Sequence, residues 1–280
     1  EIGACDWSSD VCSSDLGNMA RSLIGGLIAD GHPHAGLRIA EPDAQRREAL
    51  IEDFGIQAFE ENATAIRGAD AVILAVKPPL IADVVRDLAG QIREQESLVI
   101  SVAAGVRCVD IASWLGGDAP VVRAMPNTPA LVQTGATALY ANEAVTAGQH
   151  DLAESILRAV GMVVWLPDEQ QMDAVTAVSG SGPAYFFLTM EAMQAAGESM
   201  GLSSETARLL TLETALGAAR MALESSEDAA SLRQRVTSPG GTTAAATQVL
   251  EDGDLAGLYR RALQAAARRA HEIGDELGDQ

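Results

Sequence analysis

Val236-Thr237-Ser238-Pro239-Gly240-Gly241-Thr242-Thr243-Ala244 is the stretch whose residue types could do chemistry most directly. A Pro-Gly-Gly turn cannot continue a helix, and the residues after it, Ala245 to Glu251, have helical composition. Hydroxyls and free backbone N–H groups thus gather at a helix N-terminus, where unpaired donors and the helix dipole favour an anion. The same run also fits a Thr-capped helix after a tight turn. A second element of this kind, Ser179-Gly180-Ser181-Gly182-Pro183-Ala184-Tyr185, lies upstream. Two such helix starts in one half of a chain point to a site.

A different signal sits near the beginning. A dinucleotide-binding turn wants G-x-G-x-x-G/A between its first strand and first helix. The corresponding run is Asp15-Leu16-Gly17-Asn18-Met19-Ala20, with the second glycine and the closing small residue present and Asp15 in the first position. An acid there lacks the conformational freedom of glycine and puts negative charge near a pyrophosphate. Glu41-Pro42-Asp43 supplies an acid about 20 residues further on, the spacing of a ribose-binding carboxylate. Arg46 and Arg47 stand close enough to meet a 2′-phosphate instead, and either reading competes with a solvated helix start. Ala75-Val76-Lys77-Pro78 closes an apolar run at the side where α/β sheets hold ligands, with a snorkelling surface lysine as the alternative. The loop Arg123-Ala124-Met125-Pro126-Asn127-Thr128-Pro129-Ala130 is stiffened by two prolines and reads as shaping a domain junction.

The elements that must position these residues are of two kinds. From Leu16 to Leu166, strands at 37–40, 71–76, 98–102, 121–124, 136–140 and 162–166 alternate with helices at 17–29, 43–53, 80–92, 108–115 and 148–160. That alternation predicts an α/β domain with a mostly parallel sheet. After Leu166 the strand signal stops, and 183–201, 203–224, 228–236, 242–251 and 254–275 read as helices with apolar residues three and four apart. The division predicted is therefore 1–166, dinucleotide-binding, and 167–280, helical. Helices this apolar suggest an oligomer interface, with a monomeric bundle as the alternative.

Composition narrows the class. The 280-residue chain is 48% hydrophobic with a formal net charge of −20, which argues against nucleic acid or an anionic membrane as partner. The longest charge-free run, Ala174 to Met190, is broken by Gly-Ser-Gly-Pro and does not read as a membrane span. Cys5, Cys12 and Cys108 have neither metal-ligand spacing nor the number for a disulfide framework, so no metal and a reducing cytoplasm are expected.

Together these runs resemble one family, the pyrroline-5-carboxylate reductases. The resemblance spans roughly Leu16 to Leu277 and rests on GNMARSLIGGLI, ILAVKP, SVAAGV, RAMPNTPALV, MDAVTAVSGSGPAYFF and VTSPGGTTAAATQVLE. It implies a Rossmann-type N-terminal domain, an all-α C-terminal dimerisation domain, and homodimers that in some members build decamers. It further implies hydride transfer from NADPH, with NADH as the alternative, to the imine carbon of 1-pyrroline-5-carboxylate, giving L-proline. Gly17, Asn18 and Met19 would meet the pyrophosphate, Glu41 the ribose, and Asn62 with Ala75, Val76 and Lys77 the adenosine region, while Ala103 and Ala104 would flank the nicotinamide. Glu169 would lie near the substrate ring. Ser238, Gly240, Gly241, Thr242 and Thr243 would hold the substrate carboxylate, with Thr243 hydrogen-bonded to the ring nitrogen and part of the site coming from the partner subunit. His32, His34, His150 and His271 lie outside these runs, and none is expected to be catalytic.

Residues 1–15 depart from the pattern. A buried first strand should be a near-continuous Val/Ile/Leu run, and EIGACDWSSDVCSSD is polar. Either these residues are foreign to the protein or the chain has diverged there and lost cofactor affinity. Two other functions stay open at this point: a related imine or β-hydroxyacid reductase, and a non-catalytic dimerising chain with a failed nucleotide loop.

Overall fold

The computed structural model describes residues 11–14 and 18–278. The chain divides into two compact units: one extends through Ser181 and takes back the segment from Ala266, and the other is Gly182–Ala265.

The first unit is built on an eight-stranded sheet of order β3-β2-β1-β4-β5-β6-β7-β8. The strands are β1 (Val11–Ser14), β2 (Leu37–Ala40), β3 (Gln57–Phe59), β4 (Ala71–Leu74), β5 (Leu98–Ser101), β6 (Val121–Met125), β7 (Gly135–Ala141) and β8 (Gly161–Trp165). Every adjacent pair is parallel except β6 with β7. Its helices are α1 (Asn18–Ala29), α2 (Ala44–Phe54), α3 (Asn62–Ala65), α4 (Ile81–Gln95), α5 (Cys108–Trp114), α6 (Ala147–Arg158) and α7 (Met172–Val175). This is the mostly parallel α/β architecture that the alternating pattern predicts.

Strand residues feed two cores in strict alternation, as a sheet covered on both faces requires. Ile73, Leu98, Ile100 and Val122 pack with α1, Leu50 of α2, and α6. Val72, Leu74, Val99 and Val121 pack with Ala65 of α3, the apolar stripe of α4 and Ile111 of α5. Leu277, near the end of the last helix, completes the second core.

Two elements differ from the sequence expectation. The polar first strand forms, and it forms at the sheet's centre, with Val11 to Ser14 pairing β2 on one side and β4 on the other. A parallel ladder uses only backbone N–H and C=O groups, so a polar run can hold a central position when its neighbours supply the register. The strand Gln57–Phe59 carries no periodic signal; it is three residues long and half exposed at the sheet edge.

The second unit is entirely helical: α8 (Gly182–Ser199), α9 (Ser204–Glu224), α10 (Ala229–Arg235), α11 (Thr242–Asp252) and the first turns of α12 (Leu255–Gly278). Gly197 lets α8 approach α9 closely, because a Cβ there would lie 3.3 Å from that of Ala207. Among its described residues only Gly182, Gly197, Ala207, Thr211 and Gly257 are buried. Phe186, Phe187, Leu188, Leu210, Leu216 and Leu223 are exposed, the last at 87%. Apolar surface of that extent marks an association face.

Ile100 is fully buried in the middle of the sheet. Ile100→Ala is expected to destabilise by about 2–5 kcal/mol through lost transfer energy and the cavity left behind. Urea unfolding monitored by circular dichroism should show a lower midpoint at unchanged slope; an unaltered midpoint would refute this packing.

Candidate active site

Strand register builds the site. Ser14 pairs with Ala40 on one side and Leu74 on the other. Ala40 in turn pairs with Phe59, and Leu74 with Ser101. Each of these residues is the last of its strand, so β1 to β5 end on one level row. Ser101 then pairs with Arg123, and Arg123 with Tyr140 across the antiparallel step. The strand order reverses between β1 and β4. In open α/β sheets, ligands bind in the crevice outside the carboxyl ends at such a point.

Most of the residues expected to hold a dinucleotide leave this row. Gly17, like Asp15, falls outside the described residues. Asn18 and Met19 open α1, whose first turn carries no acid, and Ala20 behind them is buried, as a helix packed close to the sheet demands. Glu41 follows β2 directly, is only 1% exposed, and accepts a hydrogen bond from the Asp43 backbone N–H at 2.9 Å. Arg47 donates to the Glu41 carbonyl oxygen at 2.7 Å and to that of Pro42 at 3.2 Å. The exposed Arg46 guanidinium forms no ion pair among the described residues. Asn62 begins α3 after β3, and Ala75, buried Val76 and exposed Lys77 follow β4. Ala103 and Ala104 follow β5. Among the described residues, a first turn of α1 without acid and a small residue behind it suit a dinucleotide at this edge.

Beside this row lies a cavity of about 590 Å³ lined by Gly105, Arg107, Arg123, Glu169, Asp173 and His271, among others. Glu169 opens a short 3₁₀ turn capped by the Asp168 side chain. Its Oε1 accepts two hydrogen bonds: one from Arg123 Nη1 at 3.0 Å and one from the Cys108 backbone N–H at 2.9 Å. The Arg123 side chain is 6% exposed, so this ion pair is screened little by solvent. His271 Nδ1 lies 3.1 Å from Asp173 Oδ2. Arg107 and His271 carried no site signal in the sequence, since they come from distant segments that only the fold assembles.

The carboxylate leaves an electrostatic mark on its surroundings. Burial, reinforced by Glu169, pushes the Cys108 thiol far above its ordinary value. Burial and then Glu169 also raise the Tyr140 phenol.

Met125 to Asn127 form a brace. Asn127 Nδ2 donates to the Ser179 carbonyl oxygen at 3.1 Å, and its Oδ1 accepts from the Ala136 N–H at 2.9 Å. The segment braced is a π-helical turn, Thr176–Gly180, closed by Ser181 N–H donating to Thr176 O at 2.8 Å. A Cβ on Gly180 would lie 2.5 Å from Met125 Cε. Such turns recur at functional sites.

In the helical unit, Gly240 adopts φ 72°, a left-handed conformation that suits glycine, and the chain then enters α11. Gly241 is the N-cap and no side chain caps the helix. The Thr-capped alternative is thereby set aside. The hydroxyls of Ser238, Thr242 and Thr243 make no hydrogen bond among the described residues. The first N–H groups of the helix lack intrahelical partners by geometry. An uncommitted set of donors therefore stands at this helix start.

Residues 169–273 match the family described as pyrroline-5-carboxylate reductase dimerisation, and residues 16–105 match that described as NADP oxidoreductase coenzyme F420-dependent. The chain is 52% identical to a pyrroline-5-carboxylate reductase of Pseudomonas aeruginosa, over 94% of its own length and 96% of the relative's. The chain belongs to the pyrroline-5-carboxylate reductase family. It is 42% identical to the reductase of Vibrio alginolyticus, covering 92% of this chain and 94% of that one. Its fold superposes on a pyrroline-5-carboxylate reductase of Coxiella burnetii with a TM-score of 0.92, at 48% identity and over 95% and 98% of the two chains. A Plasmodium falciparum pyrroline carboxylate reductase solved with NADP bound gives 0.85 at 26% identity, over 95% and 98%. The region of the reductase family's dimerisation match contains both Glu169 and the Ser238–Thr243 turn.

The raised thiol makes two predictions. Cys108 in the folded reductase should resist iodoacetamide at pH 8, and rapid modification seen by mass spectrometry would contradict the burial described. The folded state keeps the thiol proton to higher pH than the unfolded chain does. This contribution to stability is therefore fully present below the ordinary value of 9.0 and is lost as pH rises above it. The loss should be about 1 kcal/mol between pH 9 and 10, steepening toward about 1.4 kcal/mol per unit above that, and Cys108→Ala should remove it in chemical denaturation.

Proposed function

We propose that the chain reduces 1-pyrroline-5-carboxylate to L-proline with NADPH. The observation that carries this reading is the uncommitted set of hydroxyls and N–H groups at the start of α11. A compact carboxylate fits there: the first-turn N–H groups of Thr242 and Thr243, with the Ser238 hydroxyl, satisfy its oxygens without any lysine or arginine. Gly240 and Gly241 keep Cβ atoms out of the approach. Thr243 is placed one residue into the helix, and its hydroxyl holds the proton on the ring nitrogen, which makes the imine carbon a better acceptor. Glu169 borders the substrate with Oε2 while Oε1 is committed to Arg123 and the Cys108 N–H.

When bound, the nicotinamide supplies the hydride to that carbon. The chain's part is to hold and orient. Gly17, Asn18 and Met19 take the pyrophosphate at the start of α1, Asn62 and Ala75 to Lys77 line the adenosine region, and Ala103 with Ala104 flank the ring. The preference for NADPH rests on the end of β2: Glu41 is engaged with its own turn, whereas Arg46 is open to a 2′-phosphate. Residues 1–166 serve as the cofactor domain and 167–280 as the dimerisation and substrate domain. The exposed apolar helices pair in a homodimer, dimers assemble into decamers, and the partner completes each substrate site. No helix among the described residues is long and apolar enough to cross a membrane, and a cytoplasmic location without nucleic-acid or membrane partners suits the acidic surface.

Absorbance at 340 nm with pyrroline-5-carboxylate tests the reading. NADPH should be oxidised faster than NADH, and Arg46→Ala should raise the KM for NADPH about tenfold while leaving that for NADH unchanged. Thr243→Val should lower kcat by about 10- to 100-fold. Turnover only with other imines, or a Thr243→Val enzyme of full activity, would refute it.

A further inference from the structure

The segment between β5 and α5, which includes Ala103 and Ala104, has no regular secondary structure of its own. It is held at Gly105, Arg107 and Cys108 by residues remote in sequence. Gly105 is buried at φ 86°, and a Cβ on it would lie 2.7 Å from Ile273 Cγ2 and 3.4 Å from the Gly274 backbone nitrogen. The reciprocal contact is tight as well: a Cβ on Gly274 would lie 3.0 Å from the Gly105 carbonyl oxygen. Two backbones meet here with no room for a side chain on either. Two residues on, Arg107 Nη1 reaches Asp275 Oδ1 at 3.4 Å while its Nε donates to Asp110 at 2.8 Å. At the next residue the Cys108 N–H donates to Glu169, whose position is held in turn by buried Arg123.

Leu277, buried in the core beneath this loop, anchors the last turn of α12 so that Ile273, Gly274 and Asp275 present a fixed edge. The loop would otherwise be free to relax, because exposed pairs such as Arg107 with Asp275 contribute little by themselves. Steric apposition at Gly105 and the bond to Glu169 set its path; the arginine only orients it.

We propose that the last turns of α12 and Glu169 form a clamp that sets the Ala103–Arg107 loop against the cofactor, making Gly274 and Arg123 positioning residues for the reduction. This rests on the reading that Ala103 and Ala104 flank the nicotinamide. The clamp acts on the cofactor side and through backbone position. Its α12 arm touches neither the substrate nor a transferred proton; Glu169 is the one member that also borders the substrate.

Gly274→Ala separates this role from simple packing. Alanine is the better helix former, so a role confined to stabilising α12 leads to an unchanged or higher Tm and unchanged kinetics. The clamp leads to a different result, because the added methyl must displace the Gly105 carbonyl by a few tenths of an ångström. Misplacement of that order should raise the KM for NADPH about three- to tenfold and leave the KM for pyrroline-5-carboxylate within about twofold. Hydrogen exchange of the 102–108 amides should quicken in the full-length enzyme without cofactor. Arg123→Met, which frees Glu169, should quicken the same exchange and raise the KM for NADPH, and serves if the first variant folds poorly; its KM for pyrroline-5-carboxylate is expected to rise as well, because Glu169 borders the substrate. Unchanged exchange at 102–108 in both variants would overturn the clamp itself. Faster exchange with an unchanged KM for NADPH would overturn the proposal through its premise, since the loop would move without affecting the cofactor.

Discussion

One constraint governs the molecule: the hydrogen-bonded register that ends five parallel strands on a single level. Phe59, Ala40, Ser14, Leu74 and Ser101 are successive neighbours across the sheet, and each is the last residue of its strand. Slip one strand by a single residue and its side chains exchange faces, emptying both cores at once. The two cores thus hold the register, and the register holds the loops at the ligand edge. β1 is the keystone of the row because it alone joins the two halves of the sheet.

The chain carries a net charge of −20, whereas the reaction of its family joins two anions, a dinucleotide and a carboxylate substrate. Local fields resolve the conflict. The first turns of α1 and α11 contain no acid, and no side chain caps α11, so the helix dipole at each start faces no carboxylate of its own first turn. Where a carboxylate does enter the ligand edge it is engaged: Glu41 by its own turn, Glu169 by Arg123 and the Cys108 N–H. Acidic surface elsewhere is screened within about a Debye length and adds little to the field at these helix starts.

Much of this was legible in the sequence because it is local. Runs such as Ala71 to Leu74 and Leu98 to Ser101 announce buried parallel strands by being apolar throughout, and Pro239-Gly240-Gly241 announces a helix start by forbidding anything else. The exposed apolar faces of α8 and α9 were visible as helices with more apolar surface than one chain can cover. What stayed hidden is non-local. Gln57–Phe59 becomes a strand only by pairing with β2, and the π-helical turn at Thr176–Gly180 is held by Asn127 from a remote loop. The cavity beside the strand ends sets Arg107 and His271 beside Glu169 from segments with no common spacing, so no motif could name those two. Gly105 and Gly274 look like ordinary glycines until the fold sets one backbone against the other.

The level row of strand ends as the cofactor edge is the claim on which everything else turns, and a crystal structure of the protein grown with NADP⁺ tests it most directly. The account predicts density running from the start of α1, past Glu41 and Arg46, over Ala75 to Lys77, with the nicotinamide against Ala103 and Ala104. Ordered cofactor seated anywhere away from the carboxyl ends of β1, β2, β4 and β5 would contradict it.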